Sequence, residues 1–171
     1  MNKMPRTAWL FILNIALMFG FMALFGFRLN ISDSYPLGVY KRVLGSYDKS
    51  SLVESCLPKD VADFMVDREY IPNVGNCGGY PAVIKTIYGV PGDIVDIDKG
   101  VSINGEMIAN VHLMEYDNKR RVLPPAASTT VSQNHVWLMS NRNPESFDAR
   151  YFGETPADLI RSKLRPLWTL E

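Results

Sequence analysis

The sequence predicts a mainly β domain behind a single N-terminal membrane helix, with one short helix inserted early in the β domain. Two observations support this prediction. A long apolar run without charge lies near the amino terminus, and short Val- and Ile-rich segments separated by turn residues follow residue 80. We place the division at residue 28, so that 1–28 form a cytoplasmic tip and anchor and 29–171 form one domain.

Composition excludes several classes of protein. The chain has 171 residues, of which 47% are hydrophobic and 21% charged, as in globular proteins rather than disordered ones. Its formal net charge is zero, which argues against a nucleic-acid partner because such proteins neutralise phosphates. Two Cys and two His are too few to indicate a zinc site. The mechanism that the motifs below imply needs no metal and no organic cofactor.

The apolar run extends from Ala8 to Phe27. As a helix with a rise of ~1.5 Å per residue it spans roughly 30 Å, which matches the hydrocarbon core of a bilayer. Lys3 and Arg6 precede the run and only Arg28 follows it, so the amino terminus is predicted to be cytoplasmic and the domain to lie across the membrane. The alternative is a cleaved signal peptide, but the run is longer than is usual and no Ala-x-Ala-like site follows.

For the rest of the chain the sequence predicts β-strands and one α-helix. Residues 30–45 predict a turn-rich entry and then a strand, and residues 58–70 predict the helix, with Val61, Phe64 and Met65 at helical spacing. Asn104-Gly105 is a strong hairpin signal. The remaining predicted strands cover residues 82–88, 94–97, 101–103 and 136–139.

Cys56 and Cys77 flank the predicted helix. In an oxidising periplasm they would pair and close a loop of about 21 residues, a constraint worth roughly 3 kcal/mol. The alternative is two buried thiols.

Ser34 and Lys85 are the candidate reactive residues. Ser34 follows the apolar run closely, although Ser, Asp, Pro and Gly are also what an ordinary linker contains. Strand alternation places Lys85 on the same face as Val83 and Ile87, where loss of hydration lowers a lysine pKa and produces a base able to accept a serine proton. The alternative is a snorkelling lysine whose amine reaches water.

Several motifs in order resemble the boxes of the type I signal peptidase family. These are the segment around Ser34, Lys85 followed by Val90-Pro91-Gly92-Asp93-Ile94-Val95, the hairpin Val101-Ser102-Ile103-Asn104-Gly105, and Ser146-Phe147-Asp148-Ala149-Arg150-Tyr151-Phe152-Gly153. The resemblance spans residues 30–153 and implies a serine nucleophile paired with a lysine base.

Three boxes depart from the usual pattern. Where that family reads Ser-Met-x-Pro, Lys-Arg and Gly-Asp-Asn, this chain has Ser34-Tyr35-Pro36, Lys85-Thr86 and Ser140-Asn141-Arg142. The Ser-x-Pro-x-Gly-x-Tyr pattern of residues 34–40, the Cys-flanked helix and the Ser-Phe-Asp-x-Arg-Tyr-Phe-Gly segment of residues 146–153 resemble the conjugative-transfer TraF peptidases. Those peptidases process pilin precursors, and some of them help to make a cyclic pilin.

The resemblance implies a role for each site residue. Ser34 would attack the scissile carbonyl and Lys85 would take its proton, while the Ser34 amide and the Ser32 hydroxyl would stabilise the oxyanion. For Ser32 the alternative is a turn-forming serine. Ser146 would orient the lysine amine.

Asp148 and Arg150 match a charged pair that supports this site. The alternative for Asp148 is a surface salt bridge worth less than ~1 kcal/mol.

We therefore expect a serine endopeptidase anchored in a bacterial inner membrane by a single span, with its catalytic domain in the periplasm. Its expected substrate is a membrane-tethered pilin precursor bound in extended form, and its expected partners are the lipid bilayer and conjugation-channel proteins. The alternatives are a general signal peptidase, a self-cleaving repressor, which would need a DNA-binding domain in place of the anchor, and a non-catalytic periplasmic scaffold.

Overall fold

The structure is a computed structural model that describes residues 5–98 and 100–170, without the side chains of Arg6, Phe19 and Ala23. Its three helices in this part of the chain are α1 (Arg6–Leu24), α2 (Lys59–Asp67) and α3 (Ala149–Phe152). The larger sheet has seven strands, in the spatial order β1 (Phe27–Asn30), β2 (Gly38–Val43), β11 (Ile160–Thr169), β3 (Leu52–Ser55), β4 (Val83–Gly89), β9 (His135–Met139) and β10 (Thr155–Pro156). The smaller sheet has four, in the order β7 (Glu106–Met107), β6 (Val101–Ile103), β5 (Ile94–Ile97) and β8 (Thr129–Thr130).

The mainly β prediction with one early helix is confirmed, and all the strand pairings are antiparallel. The predicted helix over 58–70 is shorter than expected, because α2 ends at Asp67. Glu69 has a left-handed φ of 60°, a conformation that a regular helix does not contain.

The amino-terminal helix ends earlier than the apolar run that predicts it. Helix α1 stops at Leu24, and Gly26 turns the chain with a φ of 70°. The boundary predicted at residue 28 therefore falls inside β1, which pairs with β2 from Phe27 onward. Within the described ranges, no helix combines the length and the hydropathy that a membrane crossing needs. Residues 1–4, including the Lys3 used to predict topology, lie outside the described residues.

The two sheets share one core. Trp137 and Met139 of β9 have no exposed surface, and they pack against Val95, Val101 and Ile103 of the smaller sheet. Strand β9 is therefore fixed from both sides: by hydrogen bonds to β4 in its own sheet and by apolar packing on the second sheet.

A disulfide joins Cys56 to Cys77, with their Cα atoms 5.5 Å apart, and closes the segment that contains α2. The apolar face of α2, including Met65, packs against Phe147 and Phe152. The inserted helix therefore supports the chain segment that leads into α3.

Candidate active site

Ser34 lies in the tight connection between β1 and β2, and Asn30 shapes that connection. The buried Asn30 side chain donates from Nδ2 to the carbonyls of Ser32, Tyr35 and Pro36, at 3.0, 2.8 and 3.1 Å. The two N–H groups of this one side chain are thus shared among three main-chain acceptors around the serine. Sequence reasoning assigned no role to Asn30, and its only signal was an amide residue at the start of a turn-rich segment.

Lys85 approaches Ser34 from the middle of the larger sheet. It lies on β4, whose neighbours are β3 and β9, and only 3% of the residue is exposed. Its Nζ is 3.0 Å from Ser34 Oγ. The structure therefore brings the two predicted residues together, and the buried amine does not reach water as a snorkelling lysine would.

Burial lowers the pKa of Lys85 from 10.5 to about 8. Desolvation is the main cause, the Arg150 charge also lowers the pKa, and the Asp148 charge opposes the shift. A lysine with this pKa is neutral in an appreciable fraction of molecules near neutral pH, and only the neutral amine accepts a proton from a serine hydroxyl.

Ser146 contacts both residues. The Lys85 Nζ donates to Ser146 Oγ at 2.5 Å, and Ser146 Oγ lies 3.4 Å from Ser34 Oγ. Because only 3% of Ser146 is exposed, solvent does not compete for this hydrogen bond. The amine is therefore fixed by Ser146 while it faces Ser34, as the resemblance implies.

Asp148 and Arg150 form an ion pair without exposed surface. Arg150 donates from Nε to Asp148 Oδ1 at 2.8 Å and from Nη2 to Oδ2 at 2.9 Å. The same guanidinium donates to the carbonyls of His112, Pro144 and Ser146. The alternative of a surface salt bridge is wrong, because burial makes this pair part of the framework that holds Ser146.

Ser140 is a further residue at the site that sequence reasoning recorded only as a departure from the family pattern. It follows β9 and has no exposed surface. Its hydroxyl donates to the Ser34 carbonyl at 2.5 Å, and its amide donates to Asp148 Oδ2 at 3.0 Å. Ser140 therefore connects the ion pair to the main chain of Ser34.

Ser32 is exposed, and its hydroxyl donates to Asn30 Oδ1 at 2.9 Å. Its main-chain amide donates to the same oxygen at 3.2 Å. This arrangement is the one expected of a turn-forming serine.

An open cleft of about 720 Å³ runs along the site. Ser34, Lys85 and Ser146 lie on its wall, together with the segments 28–33, 68–72 and 81–84 and with several residues between 114 and 123. Its size and its position beside β1 and β4 suit an extended polypeptide. In the described part of the chain, no group of three or more His, Cys, Asp or Glu side chains is placed to hold a metal ion.

Comparison with known proteins shows the family. The model of the signal peptidase family, peptidase S26, matches residues 8–168. Two plasmid transfer proteins TraF from Escherichia coli are each 34% identical to this chain, over 84% and 90% of it and over 83% and 89% of their own lengths. The conjugal transfer protein TraF of Agrobacterium tumefaciens strain 15955 is 32% identical over 84% of this chain and 83% of its own.

Among solved structures, the signal peptidase I of Enterococcus faecalis V583 matches 72% of this chain and 100% of its own, with 18% identity and a TM-score of 0.42. The family match covers nearly the whole chain, and the TraF relatives match it over most of both lengths. This chain therefore belongs to the signal peptidase S26 family, in the branch of the conjugal-transfer TraF proteins.

Proposed function

We propose that this chain is a membrane-anchored serine endopeptidase in which Ser34 is the nucleophile and Lys85 the general base. The observation that carries the proposal is the 3.0 Å separation of Lys85 Nζ and Ser34 Oγ inside a buried setting that favours the neutral amine.

The reaction follows from this geometry. As Ser34 Oγ attacks the scissile carbonyl carbon, Lys85 Nζ accepts the hydroxyl proton, and the main-chain amide of Ser34 donates to the developing oxyanion. Lys85 then gives that proton to the departing amine, which leaves an ester on Ser34. An attacking water loses its proton to Lys85 and releases the acyl group, and the proton returns to Ser34.

The buried ion pair supports this reaction without exchanging protons. Arg150 fixes the carbonyl of Ser146, and Ser146 in turn accepts from Lys85. Asp148 accepts from the amide of Ser140, which binds the Ser34 carbonyl. Both halves of the catalytic pair are thus held by one buried unit.

We further propose that the substrate is a pilin precursor for conjugative transfer, which this chain shortens and also helps to cyclise. The names of its TraF relatives associate them with plasmid and conjugal transfer. The proposal assigns helix α1 as an inner-membrane anchor, with the domain in the periplasm. Trp9, Phe11 and Leu17 on α1 are each more than half exposed, as suits side chains that face lipid.

A processing assay tests this proposal. Membranes containing the full chain are incubated with the tethered pilin precursor or with an ordinary secreted preprotein, and the products are weighed by mass spectrometry. We expect the wild type and the control Lys59→Ala, on an exposed lysine of α2, to shorten the pilin precursor. Ser34→Ala and Lys85→Ala should leave it intact. A product lighter by one water than the linear chain would be the cyclic form.

Processing at the wild-type rate by both Ser34→Ala and Lys85→Ala would overturn the proposed mechanism and favour a scaffold role. Faster processing of the secreted preprotein than of the pilin precursor would overturn the proposed substrate and favour a general signal peptidase.

A further inference from the structure

Tyr35 and Thr86 join the two chain segments that carry the catalytic pair. Tyr35 follows Ser34 and Thr86 follows Lys85, and their hydroxyl groups are hydrogen-bonded to each other across 51 residues of sequence. Alternation along β4 sends Thr86 to the opposite face of the strand from Lys85. The two segments are therefore tied together twice, once on each face of β4.

Ser140 extends this connection to the main chain of Ser34. Its hydroxyl donates to the Ser34 carbonyl. Burial raises the pKa of the Tyr35 hydroxyl, and the neighbouring Thr86 and Ser140 side chains oppose that shift. Ser140 thus holds the Ser34 carbonyl, and the hydrogen bond between Tyr35 and Thr86 holds the next residue of the same segment. Only 8% of Tyr35 and none of Ser140 is exposed, so water does not replace these hydrogen bonds easily.

All three residues stand at positions where the boxes of this chain depart from the usual family pattern, which has Met, Arg and Gly there. None of those side chains supplies a hydroxyl group. These three departures are therefore related in space: Tyr35 and Thr86 share one hydrogen bond, and Ser140 binds the carbonyl of Ser34, the residue before Tyr35.

We propose that Ser140 is a positioning residue, which acts with Tyr35 and Thr86 to fix the Ser34 carbonyl and so directs the Ser34 hydroxyl at Lys85. This inference rests on the proposed role of Ser34 as nucleophile. Its physical basis is that the reacting oxygen must be held closely, since a displacement of about 1 Å costs on the order of 100-fold in rate.

The test compares Ser140→Ala with a matched control. Ser55 also has no exposed surface, and its hydroxyl also donates to a main-chain carbonyl, that of Cys56, at 2.7 Å. Both substitutions remove a buried hydroxyl of the same kind, but only Ser140 contacts Ser34. We expect kcat of Ser140→Ala to fall about 10- to 100-fold with KM changed less than about 2-fold, and Ser55→Ala to keep its kcat.

Tyr35→Phe and Thr86→Val give a second readout, which also serves if Ser140→Ala fails to fold. Each removes one hydroxyl with little change in shape, and we expect each to lower kcat by about 3- to 10-fold. The double variant should lose little more than either single one, because both residues act through the same hydrogen bond. Multiplicative losses in the double variant, or an unchanged kcat in both single variants, would count against the connection.

The controls separate this inference from the proposed function. With Ser34→Ala inactive, an equal kcat for Ser140→Ala and Ser55→Ala would overturn the positioning role while the proposed function stands. If Ser34→Ala still processes the precursor, both proposals fall.

Discussion

Arg150 Nη2 lies 2.8 Å from the carbonyl oxygen of Ser146, the residue whose hydroxyl accepts from Lys85. Through this contact the buried ion pair of Asp148 and Arg150 helps to hold Lys85 in position. Asp148, the partner of Arg150, also accepts from the amide of Ser140, so a single pair contacts the surroundings of both Lys85 and Ser34. Loss of either charge should therefore disturb both halves of the site.

The first prediction concerns that pair. Asp148→Asn leaves the Arg150 charge buried without its partner, and we expect it to lower the free energy of unfolding by about 3–5 kcal/mol. Urea unfolding of the full chain in detergent measures the change. As a control, Lys59→Ala breaks the exposed pair with Asp63 and should leave the midpoint unchanged. Equal midpoints for the two variants would contradict the structural role of the buried pair.

The second prediction concerns pH. Burial lowers the pKa of Lys85 to about 8, so the neutral amine becomes more abundant as pH rises. We therefore expect kcat/KM to increase with pH, with an apparent pKa of about 8, and to reach a plateau above it. Rate measurements from pH 6 to 10 on the full chain give this curve. A pH-independent rate across that range would exclude Lys85 as the base.

The lowered pKa of Lys85 also predicts how the free energy of unfolding depends on pH. Between about pH 8 and 10.5 the folded chain binds fewer protons at Lys85 than the unfolded chain does. The free energy of unfolding should therefore gain a contribution that increases as pH rises through this window. Comparing wild type with Lys85→Met isolates it, and the contribution should be missing in the variant.

The third prediction concerns the disulfide. Replacing Cys56 and Cys77 together by Ser should lower the free energy of unfolding by roughly 3 kcal/mol, since the bond closes a loop with a sequence separation of 21. Activity should fall as well, because residues 68–72 of this loop line the cleft. The ring of Phe147, next to Ser146, also lies 5.3 Å from that of Phe64 on α2. An unchanged urea midpoint would contradict the first expectation.

The fourth prediction separates the two interpretations of Ser32. Because the Ser32 hydroxyl donates to Asn30, we expect Ser32→Ala to reduce kcat by less than about 10-fold. Loss of a true oxyanion donor costs about 100- to 1000-fold in kcat. A loss in that larger range would show that the hydroxyl turns to the substrate during the reaction.

Local sequence patterns predict much of the fold, and the strands that they miss have physical causes. Strand β4 and the hairpin of β6 and β7 were predicted because their apolar residues and Asn104-Gly105 are local signals. Strand β11 was missed, because Arg161, Lys163 and Arg165 alternate with few apolar residues and Pro166 lies within it. The sheet accommodates this proline next to a shift of register.

The residues of the candidate site also fall into two groups, those that sequence motifs predict and those that they do not. Ser34, Lys85, Ser146, Asp148 and Arg150 lie in contiguous motifs and were predicted from the resemblance. Asn30 and Ser140 were not, because their side chains bind main-chain carbonyls, which a motif of side-chain identities does not specify. A motif records side-chain identity, whereas these two residues act on the path of the backbone.

The most direct test of the central claim is to trap the acyl intermediate. The full chain is mixed with precursor, quenched in acid within a single turnover and digested, and the peptide that contains Ser34 is weighed by mass spectrometry. The account predicts that this peptide gains the mass of the acyl segment in the wild type and gains nothing in Ser34→Ala. Precursor cleavage with the acyl mass on any other residue would contradict it.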